Sequence, residues 1–253
     1  MSNSREAVEK LRKLPVRETR LYYLVGYVLR ALPYLNIVGS LLTGIGWAMN
    51  YKKLRKTGYL VAFIGSLVIF VTVVVSLLLA KPLETASFPQ ATNMTFIEYR
   101  DRVLESIDSV ERELRNPITY TPSIVMGFAV ILEAFGVGEL SRDTRKLVPA
   151  ILRTLFIVIG VLLVVEGILH PLLAGSVSSI REAVMRAETV SGVNSAVIEL
   201  LSILTPLVAV SAIGFILGLI VYIYFGYKYW KLQDSIRELL VLSTSEESSA
   251  ELI

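Results

Sequence analysis

The chain has 253 residues, of which 54% are hydrophobic and 19% charged, and its formal net charge is +3. A soluble domain of this size is about 45–50% apolar and about 25% charged, so the long apolar runs and a mean hydropathy of +0.62 mark a membrane protein. The charge is too small to argue for nucleic acid. With no cysteine and the single histidine His170, the composition excludes disulfides, thiolate catalysis, cysteine-ligated zinc or iron–sulfur centres and a histidine-rich metal site.

Residues 1–20 form a polar, basic N-terminal segment with Arg5, Lys10, Arg12, Lys13, Arg17 and Arg20. It shows no signal-peptide pattern. Val8, Leu11 and Leu14 suggest a surface helix on anionic head groups, or else a solvated tail. Residues 21–49 are apolar for longer than the roughly 20 residues a span needs. Arg30 and Pro33 divide them into an interfacial or partly inserted lead-in over 21–32, rich in Tyr22, Tyr23 and Tyr27, and a span over about 33–50. A tight basic turn at 51–58 leads into 59–80, the cleanest span, which carries no charge. The region 21–80 is thus a lead-in followed by a helical hairpin.

Residues 81–121 leave the membrane, with Lys81 and Pro82 stopping the helix. Thr95 and Glu98 match a capping box, in which each side chain satisfies the other's free amide. The helix that follows, 95–115, carries Val103, Leu104, Ile107, Val110 and Leu114 on one face. The 103–107–110–114 spacing is a heptad fragment, suited to packing on the protein itself or on lipid, or to a self-association seam. Asn116 and Pro117 end this helix. Asn93 opens a glycosylation sequon, meaningful only if the segment lies outside the cell.

Residues 122–173 make a central hairpin: an apolar arm at 122–138, a polar turn at 139–146 and a second apolar arm at 147–173. Ser179 and Glu182 repeat the capping-box pattern. Ile180, Val184, Ala187 and Val190 then give a second amphipathic helix within 174–195. The last span, 196–230, is divided by Pro206 and ends in an interfacial anchor of Tyr222, Tyr224, Tyr227, Tyr229 and Trp230 with Lys228 and Lys231. Residues 231–253 form a C-terminal tail that begins helically and finishes acidic and serine-rich. The expected fold is all-α: a polytopic membrane helix bundle of about five spans, two helical hairpins in an approximate internal repeat, and amphipathic surface helices.

The repeat has an offset of 92 residues: Gly44-Ile45-Gly46 matches Gly136-Val137-Gly138, and 59–80 matches 151–172. Such glycines also have a plain packing role, letting helix backbones approach closely. The stretch IVGSLLTGIGWAMNYKKLRKTGYLVAFIGSLVIF (37–70) resembles archaeal multi-span membrane families known as domains of unknown function, with Gly-rich short helices joined by basic turns. The likeness covers the first 80 residues and, more loosely, the second hairpin. It implies no activity and no site residues.

Ionisable groups inside spans are costly and are candidate functional residues. Glu133 and Arg153 lie on opposite arms of the central hairpin, equally far from Asp143 and each about 15 Å from it at about 1.5 Å per residue. The expectation is an intramembrane ion pair, fixing hairpin register or forming a polar, proton-coupled site. Glu166 and His170, spaced i, i+4, share a helix face, and Arg30 and Glu199 fall at span starts. Parity puts these four on the side of the 81–121 segment, either as a polar cluster or as separate snorkelling or capping residues. His170 beside Glu166 is also a candidate pH sensor. The positive-inside rule conflicts with itself: the short turns and the end of the last span carry ten Lys and Arg, and the N-terminal segment on the other side carries six. We place the short basic turns inside and 81–121 outside. Insertion of 21–32 would move the N-terminus to the turns' side and remove the conflict.

The sequence has no nucleophile–base pattern, HExxH or phosphate loop, so it assigns no catalytic, cofactor-binding or metal residue and no cofactor. The expected function is that of a non-enzymatic, multi-pass protein of the cell membrane, a structural or accessory subunit of a membrane assembly. Its partners would be the lipid bilayer and copies of itself or other membrane subunits. The alternative is a transporter or translocation-channel component working as an oligomer. A continuous polar face shared by several spans favours transport, whereas polar groups paired off singly favour the structural reading.

Overall fold

The computed structural model describes residues 13–32, 35–79, 89, 94–144 and 146–250, with side chains up to residue 238. Over these residues there are seven helices and no strand: α1 Val16–Arg30, α2 Asn36–Leu54, α3 Thr57–Leu79, α4 Phe96–Arg115, α5 Pro117–Asp143, α6 Ile151–Arg186 and α7 Val190–Ala250. Four of them, α3, α5, α6 and α7, are long and apolar enough to cross a membrane. The protein is therefore a helical membrane bundle. The stretch expected as the first span becomes α2, which falls outside this group because Asn36, Ser40, Thr43, Asn50, Lys52 and Lys53 dilute its 19 residues. Expectations placed on residues 1–12, Pro33, Lys81, Pro82, Asn93 and the end of the tail lie outside the described residues.

The chain divides into two compact units, Met1–Val74 with Met126–Val161 and Phe215–Ile253, and Val75–Val125 with Leu162–Gly214. In the first, α1 and α2 form a tight antiparallel hairpin closed by glycines. A Cβ on Gly39 would lie 2.4 Å from the Arg30 nitrogen and 2.6 Å from the Gly26 carbonyl oxygen. Arg55, in the left-handed region at φ 54°, ends α2 and turns the chain into α3. Helix α3 runs antiparallel against α5, whose Gly136 faces Ala62, while Gly65 faces the Ala129 carbonyl. The repeated glycines show the packing role: Gly46 lies under the Tyr23 ring, Gly136 under Trp47, and Gly138 under the Arg153 stem.

The core of this unit is aromatic. Tyr23, Tyr27, Trp47, Tyr59, Phe156, Tyr222, Phe225 and Tyr229 are all buried and pack with ring centroids 4.3–6.3 Å apart. Edge-to-face and tilted contacts of this kind add about 0.5–1.5 kcal/mol per pair beyond the area they bury. Their polar ends are also taken up: Asn50 donates to the Tyr23 hydroxyl at 2.9 Å, Trp47 Nε1 to the Tyr27 hydroxyl at 3.2 Å, and Thr19 and Tyr229 share a bond of 2.6 Å.

The second unit is built on α4. Its capping box forms as the sequence implies: the Glu98 amide donates to Thr95 Oγ1 at 3.3 Å and the Thr95 amide to Glu98 Oε2 at 3.0 Å. Tyr99, Val103, Ile107 and Leu114 bury against Ala174, Val177, Ile180 and Val184 of α6 and Val193, Ala196 and Leu200 of α7. The heptad fragment thus packs on the chain's own helices. Polar ties flank this core, from the Tyr99 hydroxyl to Asn194 at 2.6 Å and from Arg181 to Asp108 at 2.6 Å. Asn116 closes α4 and starts the next helix, its side chain accepting from the Ile118 amide at 3.1 Å just ahead of Thr119.

The separate amphipathic helix expected within 174–195 does not exist as such. Helix α6 continues through Pro171 to Arg186, and α7 runs through Pro206. Without water to replace lost backbone bonds, a proline in an apolar helix is absorbed rather than ending it. Ser179 accordingly sits mid-helix, where its hydroxyl donates to the Ser176 carbonyl at 2.7 Å. A capping box needs free amides, and none is free there.

Candidate functional site

Glu133 is fully buried, and its partner is Arg30 rather than Arg153. Arg30 Nη1 donates to Oε1 at 2.6 Å and to Oε2 at 2.5 Å. The Ser66 hydroxyl also donates to Oε1, and Thr43 donates to Ser66 at 3.4 Å and to the Ser40 carbonyl at 3.0 Å. The guanidinium lies over the Tyr222 ring, 4.9 Å from its centroid, and 5.8 Å from that of Tyr27. Four helices of the first unit thus converge on one carboxylate, and a fifth, α7, covers the arginine.

Local sequence explains the convergence. Gly65 lets α3 approach α5 so closely that a Cβ there would lie 3.2 Å from Glu133 Cγ, which brings Ser66 onto the carboxylate. Gly26 and Gly39 close the α1–α2 hairpin, which places the last residue of α1, Arg30, at its tip.

The expected Glu133–Arg153 pair fails because the turn is not centred on Asp143. Helix α5 ends at Asp143 and α6 starts at Ile151, so residues between them, apolar as several are, belong to the turn. The Thr144 hydroxyl accepts from the Val148 amide at 3.3 Å within it. Glu133 is therefore ten residues from the end of its helix, and Arg153 only two from the start of the next. Arg153 is exposed, lies at the level of Gly138, and its guanidinium sits 5.7 Å from the Phe135 centroid.

The other candidates do not converge. In the second unit, Glu166 accepts from the Ser211 hydroxyl at 2.9 Å, His170 Nδ1 meets the Glu166 carbonyl at 2.9 Å, and Glu199 is exposed. Glu166 and His170 share a face as expected, but they meet through backbone. A second polar group in the first unit, at its α2–α3 turn, was not foreseen. There Asp143 accepts from the Tyr59 hydroxyl at 2.7 Å and from Lys56, which also approaches Glu139 at 3.7 Å. Among the described residues no three acidic or histidine side chains gather as a metal site.

Ser66, Thr43 and Tyr222 were also unforeseen. The available signal was Ser66 itself, a small hydroxyl in the one span without charge, which has to find an acceptor at that depth. No family model, curated protein or solved structure matches the chain.

Proposed function

We propose that the protein is a non-enzymatic structural subunit of a membrane assembly. The observation that carries this reading is the closed state of its buried charges. Among the described residues, the buried charged side chains are Arg30 and Glu133, and they neutralise each other. Glu166 and Asp143 have partners of their own, and the network that four helices build on Glu133 is local, running from Arg30 through Ser66 and Thr43 to the Ser40 carbonyl. Only 28%, 28% and 22% of the most apolar stretches of α3, α6 and α7 are buried, against 50% for α5, which leaves wide apolar faces for lipid and for neighbouring subunits.

The test is the particle mass in mild detergent together with proton flux into vesicles, for wild type and for Glu133→Gln. A discrete assembly larger than the 28.0 kDa chain, in vesicles that hold a proton gradient as well as empty ones do, is the expected result. A strict monomer overturns the reading. So does a proton leak that Glu133→Gln abolishes while the variant remains folded.

A further inference from the structure

Helices α1 and α2 are too short and too polar to count among the spans, yet the outer face of α2 is apolar. Leu32, Leu35, Val38, Leu41 and Ile45 are 37–47% exposed, and Leu32 and Leu35 flank the turn itself. Helix connections in water favour polar residues, and the described residues on either side of 33–34 are the exposed Leu32 and Leu35. The inner face at the tip is Arg30, locked on Glu133.

The depth of that lock follows from α5. Glu133 is ten residues from the helix end at Asp143, about 15 Å at about 1.5 Å per residue, which is near the middle of about 30 Å of hydrocarbon. Both hairpin arms are shorter than the neighbouring span: 15 residues of α1 and 19 of α2 give about 22 and about 28 Å, against about 34 Å for the 23 residues of α3.

The two ends of the hairpin lie together. Lys53, at the end of α2, is 3.6 Å from Glu18, in the first turn of α1. Arg20 lies 4.5 Å from the Trp230 centroid, and Thr19 meets Tyr229, so the entry point adjoins the stretch of α7 where Trp230 is flanked by Lys228 and Lys231. If α1 lay on the far surface and α2 crossed the bilayer, Glu18 and Lys53 would be a membrane apart.

We propose that α1–α2 is a re-entrant hairpin: it enters the bilayer beside the α2–α3 turn, reverses between Leu32 and Leu35 at membrane depth with Arg30 held against the protein by Glu133, and leaves on the side it entered. Reversal at that depth requires the backbone to satisfy itself. Ala31 and Leu32 do so, their amides donating to the Tyr27 and Leu29 carbonyls at 3.1 Å each, and the Gly39 amide donates to Leu35 at 3.0 Å. The basic residues at the start of α1 then share a side with those of both short turns and with Lys228 and Lys231 of α7. That removes the charge conflict which a crossing α2 creates.

The chain has no cysteine, so single-cysteine labelling in membranes of an expressing cell tests this directly. Glu18→Cys, Lys53→Cys and Arg142→Cys report the hairpin's ends and the α5–α6 turn, and Leu35→Cys and Leu32→Cys report the tip at two positions. With a membrane-impermeant maleimide, the first three are expected to label from the same side. Both tip positions are expected to stay unlabelled from either side and to react once detergent dissolves the bilayer. Labelling of Glu18→Cys from the side opposite Lys53→Cys overturns the proposal. Labelling of both tip cysteines in sealed membranes from either side does so as well.

Discussion

Replacing Glu133 by leucine leaves Arg30 charged, buried and without a counter-ion, so the size of the loss reports what the pair does. Two unit charges about 4 Å apart at an effective dielectric constant of about 20 attract by about 4 kcal/mol. Removing one partner of a buried pair typically costs about 3–5 kcal/mol, because the remaining charge keeps its desolvation penalty. Ser66 also loses its acceptor, at about 1–3 kcal/mol. Because Arg30 gains some relief by turning its guanidinium further onto Tyr222, the expected loss for Glu133→Leu is about 3–5 kcal/mol. Replacing both members, Arg30→Met with Glu133→Leu, removes the penalty along with the attraction, and the double variant is expected within about 1–2 kcal/mol of wild type. The assay is denaturant unfolding in micelles followed by tryptophan fluorescence. Trp47 is buried and in contact with Tyr27, so it reports this unit. If Glu133→Leu alone stays within about 0.5 kcal/mol of wild type, the pair does not hold the unit together. If the double variant loses the sum of the two single losses, the two residues are not coupled, and the reasoning fails at that step.

Glycines divide sharply by what a Cβ would meet. Gly39→Ala drives a methyl into the Arg30 and Gly26 backbone and should destabilise by about 1–3 kcal/mol or more, whereas Gly175→Ala meets nothing within 4 Å and should be neutral or stabilise α6 by up to about 1 kcal/mol; thermal unfolding of the two variants side by side distinguishes them. In the second unit, Ile107→Ala should cost about 2–5 kcal/mol because the side chain is fully buried. The neighbouring Asp108→Asn, which breaks an ion pair to Arg181 with both side chains 42% exposed, should cost less than about 1 kcal/mol; similar values for both would mean that polar ties, not the apolar stripe, hold the three helices. The Thr95 amide and hydroxyl hold the Glu98 carboxyl below its usual range. A group whose folded pKa is depressed contributes stability above its unfolded value of about 4.3 and loses it as pH falls through the folded one. Amide exchange at the start of α4 should therefore speed up on acidification below that range in wild type, beyond the intrinsic change; this extra sensitivity should shrink in Thr95→Ala, which keeps the amide bond but loses the hydroxyl, and vanish in Glu98→Gln, which has no carboxyl to titrate.

A local signal is legible where its context is local too, whereas a signal that depends on distant partners is not. The capping box at Thr95 and Glu98 and the helix end at Asn116 are decided within four residues, and the structure has both. The stripe 103–107–110–114 shows a buried face, but its spacing does not say whether the partner is a second copy or the chain itself; Val177 and Val193 are supplied by α6 and α7, far along the chain. Ser179 and Glu182 have the letters of a helix start without its context, because α6 runs on through Pro171, a proline tolerated in this solvent, and leaves no free amide at Ser179. The same discount applies to Pro206. The assignment of Glu133 to Arg153 rested on one assumption, that polarity marks the turn. Leu147, Val148 and Pro149 are apolar turn residues, and this shift of about four residues at the centre carried Arg153 about 6 Å towards the surface at about 1.5 Å per residue.

Arg30 shows why the α1–α2 hairpin is the part of the fold least accessible to hydropathy. An arginine interrupting an apolar stretch normally marks where that stretch meets water, and the lead-in over 21–32 was bounded on that basis. Here the interruption marks the deepest point. What draws so polar a helix inward is its other face: Tyr23 and Tyr27 on α1 bring two large rings into the aromatic core, and each hydroxyl finds a partner on α2. Burying two such rings is worth several times the cost of ordering them, and the one charge that must go with them is neutralised by a carboxylate already waiting on α5. Hydropathy averages along the chain and cannot register this exchange. The pattern that does register it is the combination of Gly26 and Gly39 on either side of Arg30, with ring-bearing residues one turn apart on α1. Such a combination identifies a hairpin built to pack against protein on one face and lipid on the other, and it is the feature to search for in other chains whose first apolar stretch is too long for one span and too polar for two.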